Sequence, residues 1–272
     1  MKQPKYVVLE KQVGETPLQV ILRFKSKNPE LENIPMAYAG RLDPMASGKL
    51  IILIGEECKK QTEYHAFDKG YQFEILLNTS SDTGDILGLV DWQTNKIVDT
   101  DKLIKLSHDL VGRLSLPYPN FSSKTVKGKP LHVWTLENKL NEIEIPVAHT
   151  NIYKLELVDV RLEKAEDVYK NVVKKITSLP TVTDESKKLG RDFRRKDVLM
   201  SWQIWLENHK GKNVQIATFN CVASSGTYMR SLAEELSRRL GTVGLAYSIH
   251  RFMIGKYLVL PWKRGFWWRR IS

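Results

Sequence analysis

One acidic residue, Asp43, lies between Leu42 and Pro44 in a segment that begins and ends with glycine, Gly40 to Gly48. Glycines on both sides of a carboxylate indicate a tight loop that lets a substrate approach the backbone closely. The next residues, 49–55, form an apolar run typical of a buried strand. A loop carboxylate beside a core strand is well placed for chemistry. The alternative is an ordinary turn acid, which an isolated Leu-Asp-Pro would favour.

The composition favours a nucleic-acid partner. The chain has 272 residues and a formal net charge of +11, and so basic a surface suits nucleic acid or an anionic membrane. No apolar run reaches the roughly 18 residues of a transmembrane helix, and the N-terminus lacks a signal-peptide core. Cys58 and Cys221 form neither a disulfide framework nor a zinc site. We therefore expect a cytoplasmic protein without a metal.

Hydrophobic periodicity predicts the elements that would position Asp43. The strand around Tyr71 alternates apolar and polar residues, with Tyr71 at the start of its apolar face. Thr16 and Pro17 are typical of a helix start. Strands are predicted over 6–10, 49–55, 69–78, 152–162 and 213–222, and helices from Pro17 and over 100–112, 163–178 and 227–240. This pattern favours a mixed α+β fold.

Two segments concentrate positive charge. Residues 187–196 contain six cations in ten residues, which is typical of a solvated linker or of a nucleic-acid contact. The last residues include Trp262, Trp267 and Trp268 among lysines and arginines. These tryptophans could stack on bases, on a protein groove or on the domain's own core.

Five groups of residues occur in a recognisable order. They are Lys11-x-x-Gly14-x-Thr16 with Gly40-x-Leu42-Asp43-Pro44-x-Ala46-x-Gly48; Lys69-x-Tyr71 with Asp82-Thr83-x-Asp85-x-x-Gly88; Pro119-x-Phe121-Ser122-Ser123-x-x-x-x-Gly128-Lys129; Ser224-Ser225-Gly226-Thr227-Tyr228-Met229-Arg230-Ser231-Leu232; and Arg251-x-x-x-Gly255-x-Tyr257-Leu258. This order resembles the signatures of TruB-type tRNA pseudouridine synthases over about residues 6–160 and 213–260. Five ordered motifs are far more specific than any one alone.

The resemblance implies a fold, a reaction and a partner. It implies one pseudouridine synthase-like α+β domain over 1–272, with a mixed, mostly antiparallel sheet flanked by helices and a thumb-loop insertion. The expected reaction isomerises uridine 55 in the tRNA T-loop, on a T-arm partner, without cofactor or metal, in a monomeric enzyme. It implies three catalytic residues, Asp43, Tyr71 and Arg230, and substrate contacts from Tyr38, Gly40, Arg41, Lys69, Phe121, Lys124, Tyr228 and Leu258.

Each catalytic candidate has a role and an alternative. Asp43 would act on the ribose of a flipped uridine, as nucleophile or as base. Arg230 would keep that carboxylate ionised, although its spacing also suits a surface ion pair with Glu234. Tyr71 would stack on the uracil and help to remove the C5 proton, or it simply packs in the core. Leu258 would close the pocket beneath the base.

The chain departs from the family pattern in four places. Tyr38 stands where the family usually has histidine, and Arg41 where it usually has a small residue. Gly-Arg-Leu-Asp is more typical of synthases that modify ribosomal RNA, which is the nearest rival substrate. The basic insert at about 161–210 has no recognised counterpart. A basic, Trp-rich tail at 261–272 follows soon after the last motif, and we expect no C-terminal RNA-binding (PUA) module. Rival functions are a non-catalytic RNA-binding or RNA-folding protein and a ribosome-associated structural protein.

Overall fold

Alternating apolar residues form strands that pair into a nine-stranded sheet in the computed structural model, which describes residues 4–93, 96–181, 192, 194–260 and 265–271. The strands are β1 (Tyr6–Lys11), β2 (Met36–Ala39), β3 (Ala46–Ile54), β4 (Asp68–Leu77), β5 (Thr79–Ser81), β6 (Val90–Trp92), β7 (Gly112–Pro117), β8 (Thr125–Val126), β9 (Lys129–Pro130), β10 (Val147–Lys164), β11 (Asn213–Ala223), β12 (Gly244–Val259) and β13 (Gly265–Arg270).

The sheet is mixed but mostly antiparallel. Its order is β1-β3-β12-β4-β11-β10-β7, with β2 added to β3 and β13 added to β12. The pairing of β3 with β12 is parallel and the other pairings are antiparallel. The strands β5–β6 and β8–β9 form separate two-stranded ribbons. The predicted α+β architecture is confirmed.

Seven helices surround this sheet in the part of the chain that the structure describes. They are α1 (Pro17–Ser26), α2 (Gln61–His65), α3 (Thr100–Asp109), α4 (Leu131–Leu136), α5 (Ala165–Thr177), α6 (Arg195–His209) and α7 (Met229–Arg239). Thr16 caps α1, since its hydroxyl accepts from the Gln19 backbone amide at 3.2 Å, and the Gln19 side-chain Oε1 accepts from the Thr16 backbone amide at 2.7 Å. This reciprocal pair explains why the helix begins at Pro17.

Helix α6 was not predicted. The sequence interpretation placed residues 195–209 inside a basic insert, yet Trp202 and Trp205 on this helix are wholly buried. Their indole N–H groups donate to the Ile86 carbonyl and to the Thr79 hydroxyl, both at 3.0 Å. Apolar residues also occupy the outer side of the helix, with Met200 and Ile204 exposed, and this obscures the helical period.

The C-terminal residues extend the sheet as β13. Trp267 packs edge-on against Tyr257 at 5.3 Å between ring centroids, whereas Trp268 is 62% exposed. The predictions for residues 187–191, 193 and 261–264 lie outside the described residues. Within the described ranges, no helix is long and apolar enough to cross a membrane.

Candidate active site

Asp43 lies on the loop that connects β2 to β3, directly before the first residues of β3, which pair with β12. The Ala46 amide donates to the Asp43 carbonyl at 3.0 Å, which closes the turn. Gly40 and Gly48 have φ of +77° and +112°, values that L side chains rarely adopt. A Cβ on Gly48 would lie 2.3 Å from the Arg251 carbonyl oxygen. Both glycines are therefore needed where the loop begins and ends.

Two buried cations donate hydrogen bonds to backbone carbonyls of this loop and of β3. The Lys11 ammonium donates to the Ala46 carbonyl at 2.6 Å, and the Arg251 guanidinium donates to the carbonyls of Lys49 and Gly40 at 2.7 and 2.8 Å. Burial lowers the pKa of Lys11 to about 8, although the charge of nearby Asp43 opposes this shift. Lys11 and Arg251 both belong to the motifs described in the sequence. Their contact with the loop depends on β1 and β12, which are far apart in the chain.

Arg230, in the first turn of α7, contacts Asp43 with both arms of its guanidinium. Nε donates to Oδ2 at 2.9 Å and Nη2 to Oδ1 at 3.3 Å. The arginine side chain is 5% exposed and the aspartate side chain 30% exposed, so the carboxylate remains open on its outer side. A planar bidentate contact of this kind orients a carboxylate as well as neutralising it. The ion pair with Glu234 that the spacing allowed is replaced by this contact.

The remaining Arg230 contacts come from two other segments. The Thr83 carbonyl accepts from Nη1 at 2.7 Å, and the Phe121 carbonyl accepts from Nη2 at 3.3 Å. Asp85 lies 3.6 Å from Nε and is buried. Burial raises the pKa of the Asp85 carboxyl, and the Arg230 charge opposes this rise. Sequence reasoning missed Asp85 as part of the site, although its motif was noted.

Tyr71 lies on β4 next to Arg251 on β12 and Cys221 on β11. It belongs to the same apolar cluster as Leu42 and Met45, which flank Asp43. Burial raises the pKa of the Tyr71 phenol, and the Asp43 charge contributes in the same direction while Arg251 opposes it. The structure therefore joins Asp43 directly to Arg230 and places the Tyr71 phenol near enough to be affected by the Asp43 charge.

Aromatic rings and exposed cations surround this cluster. Tyr228 packs edge-on against Tyr118 at 5.5 Å between centroids, and the Lys124 ammonium lies 5.1 Å from the Tyr118 ring. Burial raises the pKa of the Tyr228 phenol, as does the charge of Asp43, while exposed Arg41 lowers it. Tyr228 and Arg41 thus lie near the carboxylate, and Lys124 lies beyond Tyr228 over the Tyr118 ring.

Three of the residues predicted to contact the substrate lie in positions that do not suit this role, and they are Lys69, Tyr38 and Leu258. Lys69 is 5% exposed, and its ammonium donates to the His65 and Phe67 carbonyls and to the Ser225 hydroxyl. Its N–H groups are therefore used in hydrogen bonds within the protein. Burial lowers its pKa to about 7. Tyr38 packs with the apolar cluster of α1 that contains Val20 and Ile21, because its place on β2 turns its side chain toward that helix.

The sequence interpretation also gave Leu258 a role that its position does not allow. It pairs with Phe266 in the β12–β13 hairpin and is 44% exposed. It follows Arg251 by seven residues along β12, a distance of roughly 20 Å in a strand. It therefore cannot close a pocket beneath a base at Asp43.

Known proteins are similar to this chain in sequence and in fold. The chain is 26% identical over 251 residues to the tRNA pseudouridine synthase B of Caldicellulosiruptor saccharolyticus, covering 92% of this chain and 67% of the relative. It is 28% identical over 261 residues to the tRNA pseudouridine synthase 4 of Saccharomyces cerevisiae, covering 85% and 62%. The chain thus spans about two thirds of the length of these relatives.

The chain is also similar in fold to a solved structure, and part of its sequence matches a family description. The crystal structure of a Cbf5-Nop10-Gar1 complex matches with a TM-score of 0.54 at 16% identity, covering 92% of this chain and 48% of that chain. This likeness concerns the fold alone. The description "TruB family pseudouridylate synthase (N terminal domain)" matches residues 30–175, more than half of the chain. That stretch contains Asp43 and Tyr71 in the arrangement described above, and the chain belongs to the TruB family of pseudouridylate synthases.

Proposed function

We propose that this protein converts uridine to pseudouridine in the T-loop of tRNA, at position 55. The observation that carries the proposal is the bidentate contact of Arg230 with Asp43, at 2.9 and 3.3 Å, beside buried Tyr71. It leaves one carboxylate charge-balanced, oriented and open on one side. The tRNA pseudouridine synthases named above and the net charge of +11 support an RNA substrate.

The reaction needs a group that acts on the sugar. The C1′–N1 bond of uridine breaks, the uracil turns, and a C1′–C5 bond forms while C5 loses a proton and N1 gains one. Asp43 would act on the ribose, as nucleophile or as base, and the donors on Arg230 would stabilise its charge in either case. No electrons are gained or lost, so the proposed reaction needs no redox cofactor.

The base would leave its stack to reach Asp43. Flipping costs a few kcal/mol, and less in a strained loop. Tyr71 would stack on the extruded uracil and help to remove the C5 proton. Because burial raises its pKa, it would bind the base as a neutral phenol at neutral pH. Exposed Arg41 and Lys124 would contact phosphates and offset part of the flipping cost.

The experiment is a pseudouridine map of a T-arm RNA incubated with the protein. We expect modification of one T-loop uridine by the wild type and none by Asp43→Asn, which keeps the size of the side chain but removes its charge. A matched control is Asp109→Asn, which changes an exposed acid at the end of α3. Unmodified RNA, or an active Asp43→Asn variant, would refute the proposal.

The same assay separates the rival functions. A ribosomal RNA fragment modified in preference to the T-arm would favour the substrate suggested by Arg41. RNA that binds tightly and is never modified would favour a non-catalytic RNA-binding protein. We also expect the protein to act in the cytoplasm. We expect it to bind its tRNA as a monomer, and sedimentation of the complex would test this stoichiometry.

A further inference from the structure

Arg194 joins the start of α6 to the catalytic cluster. Its guanidinium Nη1 donates to the Asp82 carboxylate at 2.6 Å, and its guanidinium carbon lies 4.7 Å from the centroid of the Phe121 ring. The pair is partly shielded, with side-chain exposures of 20% for Arg194 and 35% for Asp82. A guanidinium that pairs with a carboxylate and covers an aromatic face makes two favourable contacts with one group.

The backbone of Arg194 indicates that this position is held in place by its surroundings. The residue precedes α6 with φ of +54° and ψ of 29°, a left-handed conformation that is uncommon for a residue with a side chain. Such conformations persist where neighbouring contacts over-determine them. On one side Arg195 anchors the helix, because its guanidinium donates to the Ile176 and Leu179 carbonyls at 2.9 and 3.0 Å. On the other side the Asp82 and Phe121 contacts hold the Arg194 side chain.

Both segments that Arg194 contacts also orient Arg230. Asp82 is followed by Thr83, whose carbonyl accepts from Arg230 at 2.7 Å, and the other oxygen of Asp82 accepts from the Leu89 amide at 2.8 Å and holds that loop. Phe121 supplies the second carbonyl, at 3.3 Å. The two backbone acceptors that aim Arg230 at Asp43 therefore lie on segments that Arg194 clamps together.

We propose that Arg194 is a positioning residue, which sets the orientation of the Arg230–Asp43 pair by clamping the Asp82 loop and the Phe121 segment. This inference rests on the proposed function for its catalytic readout. It differs from both sequence interpretations of residues 187–196, which were a solvated linker and a nucleic-acid contact. Arg194 lies beyond the residues 30–175 that match the family description, so that match assigns it no role.

The test compares Arg194→Ala with Lys196→Ala. Lys196 is exposed and lies two residues away, so its loss removes the same charge without the clamp. For Arg194→Ala we expect the single-turnover rate of pseudouridine formation at saturating T-arm RNA to fall about tenfold, since small displacements of a catalytic group are costly. The RNA dissociation constant and its salt dependence should stay within about twofold of the wild type. Lys196→Ala should keep the wild-type rate.

Three further variants separate a clamp from a merely structural residue. Arg194→Lys keeps the charge beside Asp82 but loses the planar stack, and it should recover part of the rate. Asp82→Asn should lower the rate, and the double variant Asp82→Asn/Arg194→Ala should be no slower than the worse single variant, because both remove one interaction. Additive losses would overturn the proposal. The proposal would also be overturned if Arg194→Ala formed pseudouridine at the wild-type rate but bound RNA more weakly, with a shallower salt dependence. That result would assign Arg194 to phosphate contact.

A second readout needs no RNA. Amide hydrogen exchange over residues 117–131 of the free protein should be faster in Arg194→Ala than in the wild type and unchanged in Lys196→Ala. Equal exchange in all three proteins would overturn the clamp. If the wild type formed no pseudouridine, the proposed function would fail while this measurement still decided the role of Arg194.

Discussion

Replacing Arg230 by lysine keeps a positive charge beside Asp43 but removes the planar group that contacts both carboxylate oxygens. Arg230 donates four hydrogen bonds, two to Asp43 and one each to the carbonyls of Thr83 and Phe121. One ammonium cannot reach acceptors spread in this way, so we expect Arg230→Lys to lose at least one bond to Asp43 and to leave the other loosely aimed.

The size of the effect follows from that lost bond. A hydrogen bond to a charged group contributes about 1.5–3 kcal/mol, and each 1.36 kcal/mol is a tenfold change in rate. We therefore expect Arg230→Lys to lower the single-turnover rate by roughly 10- to 150-fold. Arg230→Ala should be slower still, and less stable by about 3–5 kcal/mol, because it leaves buried Asp85 without its cation.

The assay is pseudouridine formation at saturating T-arm RNA, with urea unfolding measured on the same proteins. Arg239→Lys is the matched control, since Arg239 lies on the same helix, pairs with Glu235 at 2.6 Å and is 39% exposed. It should behave as the wild type. A rate for Arg230→Lys within about threefold of the wild type would refute the argument that bidentate geometry matters here. Equal rates for Arg230→Lys and Arg230→Ala would refute the argument that the retained charge matters.

Two further predictions concern stability. Gly48→Ala should lower the free energy of unfolding by about 2–5 kcal/mol, because its Cβ would lie 2.3 Å from the Arg251 carbonyl oxygen; Gly112→Ala, with φ of +125° and nothing within 4 Å of an added Cβ, should cost less in urea unfolding, and equal costs would contradict the steric reason. Burial lowers the pKa of Lys69 from 10.5 to about 7, so between these values the unfolded chain binds a proton that the folded protein does not, and stability should rise with pH. Lys69→Met should reduce this rise between pH 7 and 10 relative to Lys196→Met, and an unchanged slope would show that Lys69 is not the titrating group.

Local pattern was enough for most of the elements around the site. The alternation from Tyr71 to Leu77 gave a strand with Tyr71, Phe73 and Ile75 on one buried face, because side-chain direction in a strand repeats every second residue. Thr16 and Pro17 placed the start of α1 correctly. Asp43 stood out because glycines on both sides of an acid indicate a tight loop. Both glycines do adopt positive φ in the structure.

Local pattern failed where burial is decided by distant segments. Residues 195–209 carry apolar side chains on more than one side of the helix, so neither their period nor their basic neighbours indicated that Trp202 and Trp205 fill the core. Lys69 has the residue type of a phosphate ligand, but three acceptors around it make it an internal donor. Whether a lysine faces RNA or backbone depends on what is packed over it.

The sequence by itself determined the chemistry-bearing residue types and the loop, strand and helix that carry Asp43, Tyr71 and Arg230, since these depend on residue type, turn chemistry and periodicity over short distances. Only the tertiary structure decided which groups meet. The hydrogen bonds of Arg230 to Asp43 join residues 187 positions apart, and Arg194 reaches Asp82 across 112 positions. Such contacts are set by the register of β3, β4 and β12 and by the packing of α6 and α7, which no local pattern specifies.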